Sequence, residues 1–253
     1  MNFCVFTSNR DGAVSILNYL IEASHKVEIC VFEEAQPNKL SEFCNEHNIR
    51  YTNYQGVSQM ILNGELPNVD FAFSYLYHKI IRDDVLNSFK GKAINFHPSL
   101  VQVHKGVASF CYCLLHGYSE WGVTAHYLVS GVDEGDIIMQ RRFAVPENCY
   151  GIEFEMIQQQ ELIVLFKNVV EMISTTGITN VQKQDLSEGE YYSQKALDAD
   201  KTVSLSDKSE DIDRKIKALW YPPYHGANIV IDGKKYSLVN EELLKELAKL
   251  YGK

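Results

Sequence analysis

Asn95, His97 and Asp133 are the residues of this chain whose types and spacing best fit a chemical step. Asn95 and His97 lie two apart in the segment GKAINFHPS, directly after an apolar run, and Pro98 then ends the regular structure. In an extended strand, side chains at i and i+2 leave the same face, so a carboxamide and an imidazole aim at one point. Asp133 follows in the turn GVDEGD, ahead of an expected strand from Asp136 to Gln140. An amide donor, an imidazole and a carboxylate are what acyl transfer to an amine requires when no nucleophilic Ser or Cys takes part. The amide and a protonated imidazole hold the developing oxyanion. The carboxylate keeps the imidazole charged and accepts the amine proton, directly or through water. The same residues also read as ordinary turn sequence, and their types alone do not separate the two readings.

The elements that must carry these side chains follow from hydrophobic patterning. Short apolar runs at residues 1–7, 27–32, 69–77 and 91–99 alternate with amphipathic stretches at 13–23, 37–48 and 56–63. That alternation is the mark of βαβ units and predicts an open, doubly wound α/β fold with a mostly parallel sheet. The runs GVTAHYLV and DIIMQRRFAV read as its last strands, and a long helix at about 151–175 closes the core. Residues 177–209 are polar with little periodicity. A short helix near 209–219, the cluster WYPPYHGA, a hairpin NIVIDGKKYSLV turning on Asp-Gly and a charged helix over 241–251 complete the chain. The expected division is a core over 1–180 and a small C-terminal module, hairpin included, over 181–253. Ligands of such sheets bind at the carboxyl ends of the strands. The first strand leads into SNRDGAV, which is neither a dinucleotide fingerprint nor a phosphate-binding P-loop.

Composition narrows the partners. The chain has 253 residues with 24 Lys+Arg against 33 Asp+Glu, a net charge of −9, which argues against nucleic acid or an anionic membrane. At 45% hydrophobic and 23% charged, it has the means to form a packed core rather than a disordered chain. MNFCVFTSNRDG reads as a first strand and not as a secretory signal, and no apolar run is long enough to span a membrane, so the cytoplasm is the expected location. The six cysteines are scattered through apolar segments and are expected as free thiols. Cys111 and Cys113 lack a second ligand pair nearby, and no metal is expected.

The run INFHPSLVQVHKGVASF, followed by WGVTAHYLVSGVDEGDIIMQ, resembles the folate-dependent formyltransferases. The resemblance covers about residues 1–175 and implies a Rossmann-like core with Asn95, His97 and Asp133 as catalytic triad. It also implies 10-formyltetrahydrofolate as formyl donor, the pterin being held mainly by backbone. The matching segments are Ser74, Tyr75, Leu76, Tyr77, His78, Lys79 and Ile80, and, around Asp133, Val132, Glu134, Gly135 and Asp136. Relatives commonly read S-L-L-P-x-Y-R-G after the catalytic strand. This chain has Ser99-Leu-Val-Gln-Val-His104-Lys105-Gly106, where Ser99, His104, Lys105 and Gly106 are candidate substrate contacts and His104 is equally a solvated loop residue.

The tail bears on the acceptor. A methionyl-tRNA enzyme needs a further domain and a basic surface, and glycinamide ribonucleotide transformylases lack the segment from 186 onward. The chain is most similar to nucleotide-sugar N-formyltransferases acting on dTDP-amino-dideoxysugars, some of which dimerise through a C-terminal hairpin. That similarity implies dTDP-4-amino-4,6-dideoxyglucose as acceptor, for O-antigen synthesis, and a homodimer through residues 228–239. The alternatives are dTDP-3-amino-3,6-dideoxyglucose, GDP-perosamine or a ribonucleotide amine. From another class comes a non-catalytic folate or nucleotide-sugar binder. Arg214, Lys215 and Lys217 are expected to meet a diphosphate. Trp220, Tyr221 and Tyr224 are expected to stack on a base or sugar or to pack the module, with Tyr191, Tyr192 and Lys195 as further candidates.

Overall fold

The structure, a computed structural model, describes residues 1–250. Its first half runs β1 (Asn2–Thr7), α1 (Asp11–Glu22), β2 (Lys26–Val31), α2 (Lys39–Glu46), β3 (Tyr51–Thr52), α3 (Tyr54–Leu62), β4 (Phe71–Tyr75), α4 (Asp83–Leu86) and β5 (Ala93–His97). It continues through β6 (His104–Gly106), α5 (Ser109–Leu115), β7 (Glu120–Tyr127), β8 (Ile137–Ala144) and the long α6 (Gly151–Thr175). The remainder is β9 (Glu190–Tyr192), α7 (Gln194–Asp200), α8 (Ser209–Ala218), the hairpin β10 (Asn228–Ile231) and β11 (Lys234–Ser237), and α9 (Glu241–Leu250). The expected end of the last helix at 251 lies outside the described residues.

Seven strands form one sheet in the order β3-β2-β1-β4-β5-β7-β8. The five on the β3 to β5 side are parallel, and β7 and β8 continue antiparallel. The chain winds outward from β1 to β3 and then returns to β4 on the other side of β1, which opens a crevice at the strands' carboxyl ends. Period-2 alternation sorts the residues of the central strands. Phe3, Val5, Phe73, Tyr75, Ile94 and Phe96 face the cluster built with α1 and α6. Cys4, Phe6, Ala72 and Ala93 face the other layer, with Val57 of α3 and Val85 of α4. Asn95 and His97 share the face of Ala93, so they leave the sheet away from α6.

The stretch after α6 is more ordered than its polarity predicts. β9 pairs in parallel with β6, and α7 follows behind a Ser193 cap that accepts from the Ala196 N–H. Elements of three and seven residues are too short to leave a readable period. Residues of the C-terminal part pack on α5 in a shared cluster of Cys111, Tyr112, Leu197, Val203, Ile216, Leu219 and Leu243. The six cysteines are buried free thiols. No described helix is long and apolar enough to cross a membrane.

Candidate active site

A cavity of about 490 Å³ lies at the carboxyl ends of β1, β4 and β5. Its walls come from the loop after β4, the end of β5, the start of α5, the turn at 128–133 and one face of α6. Three non-glycine residues in its lining, Leu76, Ala108 and Asp133, have φ between 51° and 58°, the left-handed region. Such backbone persists only where the surroundings over-determine it, and it concentrates at sites that bind or react.

Asn95, His97 and Asp133 meet in this cavity. Asp133 Oδ1 lies 3.3 Å from His97 Nδ1 and accepts from Asn95 Nδ2 at 3.3 Å, while Oδ2 accepts the Gly106 N–H at 3.0 Å. Burial works to raise the Asp133 pKa, but the imidazoles of His97 and His126 and the Gly106 N–H outweigh it and hold the carboxyl well below its usual range. An ionised carboxylate can only accept, so His97 carries its hydrogen on Nδ1. His97 Nε2 is buried and makes no hydrogen bond. For this imidazole burial wins: it pushes the pKa below 6.5 against the raising effect of Asp133. The expectation of a charged His97 therefore does not hold for the ligand-free site, because desolvation exceeds the pull of one carboxylate.

His126 belongs to the same group, although residue types alone did not single it out. It stands opposite Asn95 in the antiparallel pairing of β5 and β7. Its Nδ1 lies 2.8 Å from the Tyr127 carbonyl, and its Nε2 lies 3.1 Å from Asn95 Nδ2 and 3.5 Å from Asp133 Oδ1. The pairing of two distant strands brings it there, and its trace in the sequence is its place in the run WGVTAHYLV that carries the family resemblance.

The predicted pterin segments divide. Ser74, Leu76, Tyr77, His78, Lys79, Ile80 and Val132 line the cavity. The loop is pinned from behind: Ser8 Oγ lies 3.0 Å from both the Leu76 carbonyl and His78 Nδ1, Tyr77 donates to Glu33 at 2.7 Å, and Lys79 pairs with Glu33 at 2.6 Å. Tyr75 is instead a core residue, fully buried, because alternation turns it to the face opposite Ser74. Glu134, Gly135 and Asp136 stand outside the lining, Glu134 on the exposed side of the turn.

The predicted acceptor contacts divide as well. Gly106 and Tyr191 line the cavity. Ser99 is buried and donates to the His104 carbonyl at 2.5 Å, which uses up its hydroxyl in the loop's own structure. His104 is neither a contact nor solvated: it is 1% exposed, stacked on Tyr192 at 4.7 Å and bonded to the Val107 carbonyl at 3.0 Å. Burial pushes its pKa down to about 3. Lys105 is buried with its Nζ on the Glu188 carbonyl at 3.0 Å. Tyr192 packs on Tyr112 at 3.9 Å, and Lys195 is exposed away from the cavity.

The cations of α8 do not form the expected patch. Lys217 pairs with Glu242 at 2.9 Å, Lys215 donates to the Thr202 carbonyl at 2.9 Å, and Arg214 stays on the surface 3.5 Å from Asp211. The basic side chains lining the cavity are Arg10 and Lys79, and Arg10 also pairs with buried Glu155 at 3.0 Å. Trp220 packs with the α5 and α8 cluster. Tyr221 reaches nearer the cavity, 4.9 Å from the ring of Phe110 in its wall, and Tyr224 stacks on it at 5.5 Å and 5°.

Known proteins resemble this arrangement. A GDP-perosamine N-formyltransferase of Brucella melitensis is 25% identical over 224 residues, 88% of this chain and 85% of the relative. A 4-N formyltransferase from Francisella tularensis has the same fold, with a TM-score of 0.77 at 19% identity over 95% of this chain and 97% of that one. So has the N-formyltransferase of Helicobacter canadensis, solved with folinic acid and dTDP-3-aminofucose, with a TM-score of 0.73 at 22% identity over 94% and 88%. A family model described as formyl transferase matches residues 7–152, a span that holds Asn95, His97, His126 and Asp133. More than half the chain falls within that match, and the protein belongs to the formyl transferase family.

Proposed function

We propose that this protein transfers the formyl group of 10-formyltetrahydrofolate to the amine of a nucleotide-linked amino-dideoxysugar, with dTDP-4-amino-4,6-dideoxyglucose as the first candidate and O-antigen synthesis as the setting. The observation that carries the reading is the buried Nε2 of His97, free of any hydrogen bond and backed at Nδ1 by an ionised Asp133. The folate end of the reading is supported by apolar lining from Leu76, Ile81, Leu128, Val129 and Val132, and by the left-handed backbone at Leu76 and Asp133. The resemblance to a structure holding folinic acid and a dTDP-sugar agrees with it.

In the proposed step the acceptor amine attacks as the free base, and His97 Nε2 takes the proton it sheds. Asp133, 3.3 Å from Nδ1, stabilises the imidazolium so formed. Asn95 turns the N–H of its long 3.3 Å contact from Asp133 to the formyl oxygen, where negative charge develops. His97 then returns its proton to the departing folate nitrogen, so the site ends as it began. This assigns the base to His97 rather than Asp133, whose oxygens are already engaged by Asn95, His97 and Gly106. Arg10 and Lys79 are the candidates for the diphosphate, and the Tyr221 and Tyr224 pair for the base.

A second reading, GDP-perosamine as acceptor, is favoured by the Brucella relative. Incubating the protein with 10-formyltetrahydrofolate and each of the dTDP-4-amino, dTDP-3-amino, GDP-perosamine and glycinamide ribonucleotide acceptors tests the proposal by product mass. Formylation of a nucleotide sugar is expected. Formylation of the ribonucleotide alone would overturn the acceptor class, and folate binding without transfer to any amine would favour the non-catalytic reading.

A further inference from the structure

Gln184 lies beyond the segment matched by the family model, yet its side chain rests against the turn that carries Asp133. Its Nε2 donates to the Asp133 carbonyl at 3.0 Å and also to the Gly135 carbonyl. Two neighbours hold it there. Gln182 exchanges a pair of 2.8 Å backbone hydrogen bonds with Ile137, which ties this part of the chain to the first residue of β8. Gly135 lets the turn close on β7, since a Cβ at that position would come within 1.7 Å of the Tyr127 carbonyl. The oxygen of the Gln184 carboxamide is buried and has no hydrogen-bond partner. A buried amide oxygen left unpaired is costly, so the benefit of this residue lies with its N–H donors.

The turn needs such donors. Asp133 has φ +56°, where the backbone is strained for a non-glycine residue, and its side chain must face Asn95 and His97 while its carbonyl faces away. In front, the Gly106 N–H holds the carboxylate at 3.0 Å; behind, Gln184 holds the backbone. The conformation is thus gripped from two sides by residues far apart in the chain. We propose that Gln184 is a positioning residue, whose amide fixes the left-handed turn at Asp133 and so aims the carboxylate at His97. Through it, the segment after α6 sets the geometry of the reacting centre without touching it.

This inference rests on the proposed role of Asp133 in formyl transfer. Gln184→Met keeps the side-chain volume and removes both donors. In the folded variant kcat is expected to fall about 10- to 100-fold, the scale of a small misplacement of a reacting group, with KM for both substrates little changed. NMR titration of the ligand-free protein is expected to show the His97 midpoint moving down, because a carboxylate that drifts away no longer raises it. A purely structural role would lower thermal stability and leave both readouts in place. Gln184→Leu, which also removes both donors and adds no charge, makes the same comparison should the Met variant fail to fold. Wild-type kcat together with a wild-type His97 midpoint in these variants would overturn the inference while leaving the proposed function intact. Absence of transfer by the wild-type chain would remove that function and this inference together.

Discussion

His97 and Asp133 touch each other, and burial works toward the neutral form of both, yet only His97 ends shifted that way. The imidazole has one ionised neighbour and otherwise dry surroundings, whereas the carboxylate is ringed by donors. A base held neutral at rest and able to become a stabilised cation is suited to taking and returning one proton. We expect the His97 ring to titrate below 6.5 in the ligand-free protein, and Asp133→Asn to lower the midpoint further, since the carboxylate is the influence that raises it. An NMR midpoint above 6.5, or an upward move in Asp133→Asn, would contradict the assignment of His97 as base. Asn95 and His97 could be placed together from the sequence because i and i+2 on a strand share a face, whereas Asp133 joined them as a catalytic group only through the family resemblance. The same rule sends the side chain of Tyr75, next to Ser74, into the core, which leaves only its backbone for the expected pterin segment. His126 was hidden for a different reason, its partner Asn95 being 31 residues away across an antiparallel pairing.

The short strands β6 and β9 do more than their length indicates. β6 delivers the Gly106 N–H to Asp133, and β9 holds β6 in register, with Tyr191 in the cavity wall and Tyr192 stacked on His104. Gly106 is required where the two strands meet, because its φ is +92° and a Cβ would lie 2.3 Å from the Tyr192 carbonyl. His104 is the buried hinge of this pair. Desolvation, helped by nearby His97, pushes its pKa down to about 3, so the folded state disfavours its protonation while the unfolded chain titrates near 6.5. Its contribution to stability is therefore present above pH 6.5 and lost as pH falls toward 3, on the order of a few kcal/mol over that interval. His104→Phe, which keeps a flat ring in the stack, is expected to show a shallower loss of urea midpoint between about pH 6 and pH 4 than the parent. Equal slopes would mean that the ring is protonated freely in the folded protein. The sequence showed neither strand, since three residues carry no period. It showed α8 correctly, but not that Lys215 is held by Thr202 and Lys217 by Glu242 and Asn148.

At the scale of the molecule, an overall charge of −9 coexists with two basic side chains in the cavity wall, Arg10 and Lys79. Each is held by a glutamate, Glu155 and Glu33, so the acidity of the chain partly serves to place its cations. The alternation of strands and helices was legible over residues 1–175 apart from β6 and α4, because long buried strands and amphipathic helices carry strong periods. The order of the strands was not, since that depends on which side of β1 the chain returns to. The hairpin was legible from its Asp-Gly turn, and it carries exposed Val230, Ile231 and Tyr236. We propose that a second copy covers this face in a homodimer, for which Val230→Asp with Ile231→Asp should sediment as a monomer and the parent as a dimer. A monomeric parent would refute it.

The proposed function rests on Asn95, His97 and Asp133 together moving one formyl group. Its most direct test is mass-spectrometric detection of transfer from 10-formyltetrahydrofolate to dTDP-4-amino-4,6-dideoxyglucose by the wild-type chain and by His97→Asn. An N-formylated sugar is expected from the wild type, with turnover lower by about 10²- to 10⁴-fold in the variant and acceptor binding largely retained. Equal turnover by the two proteins would contradict it.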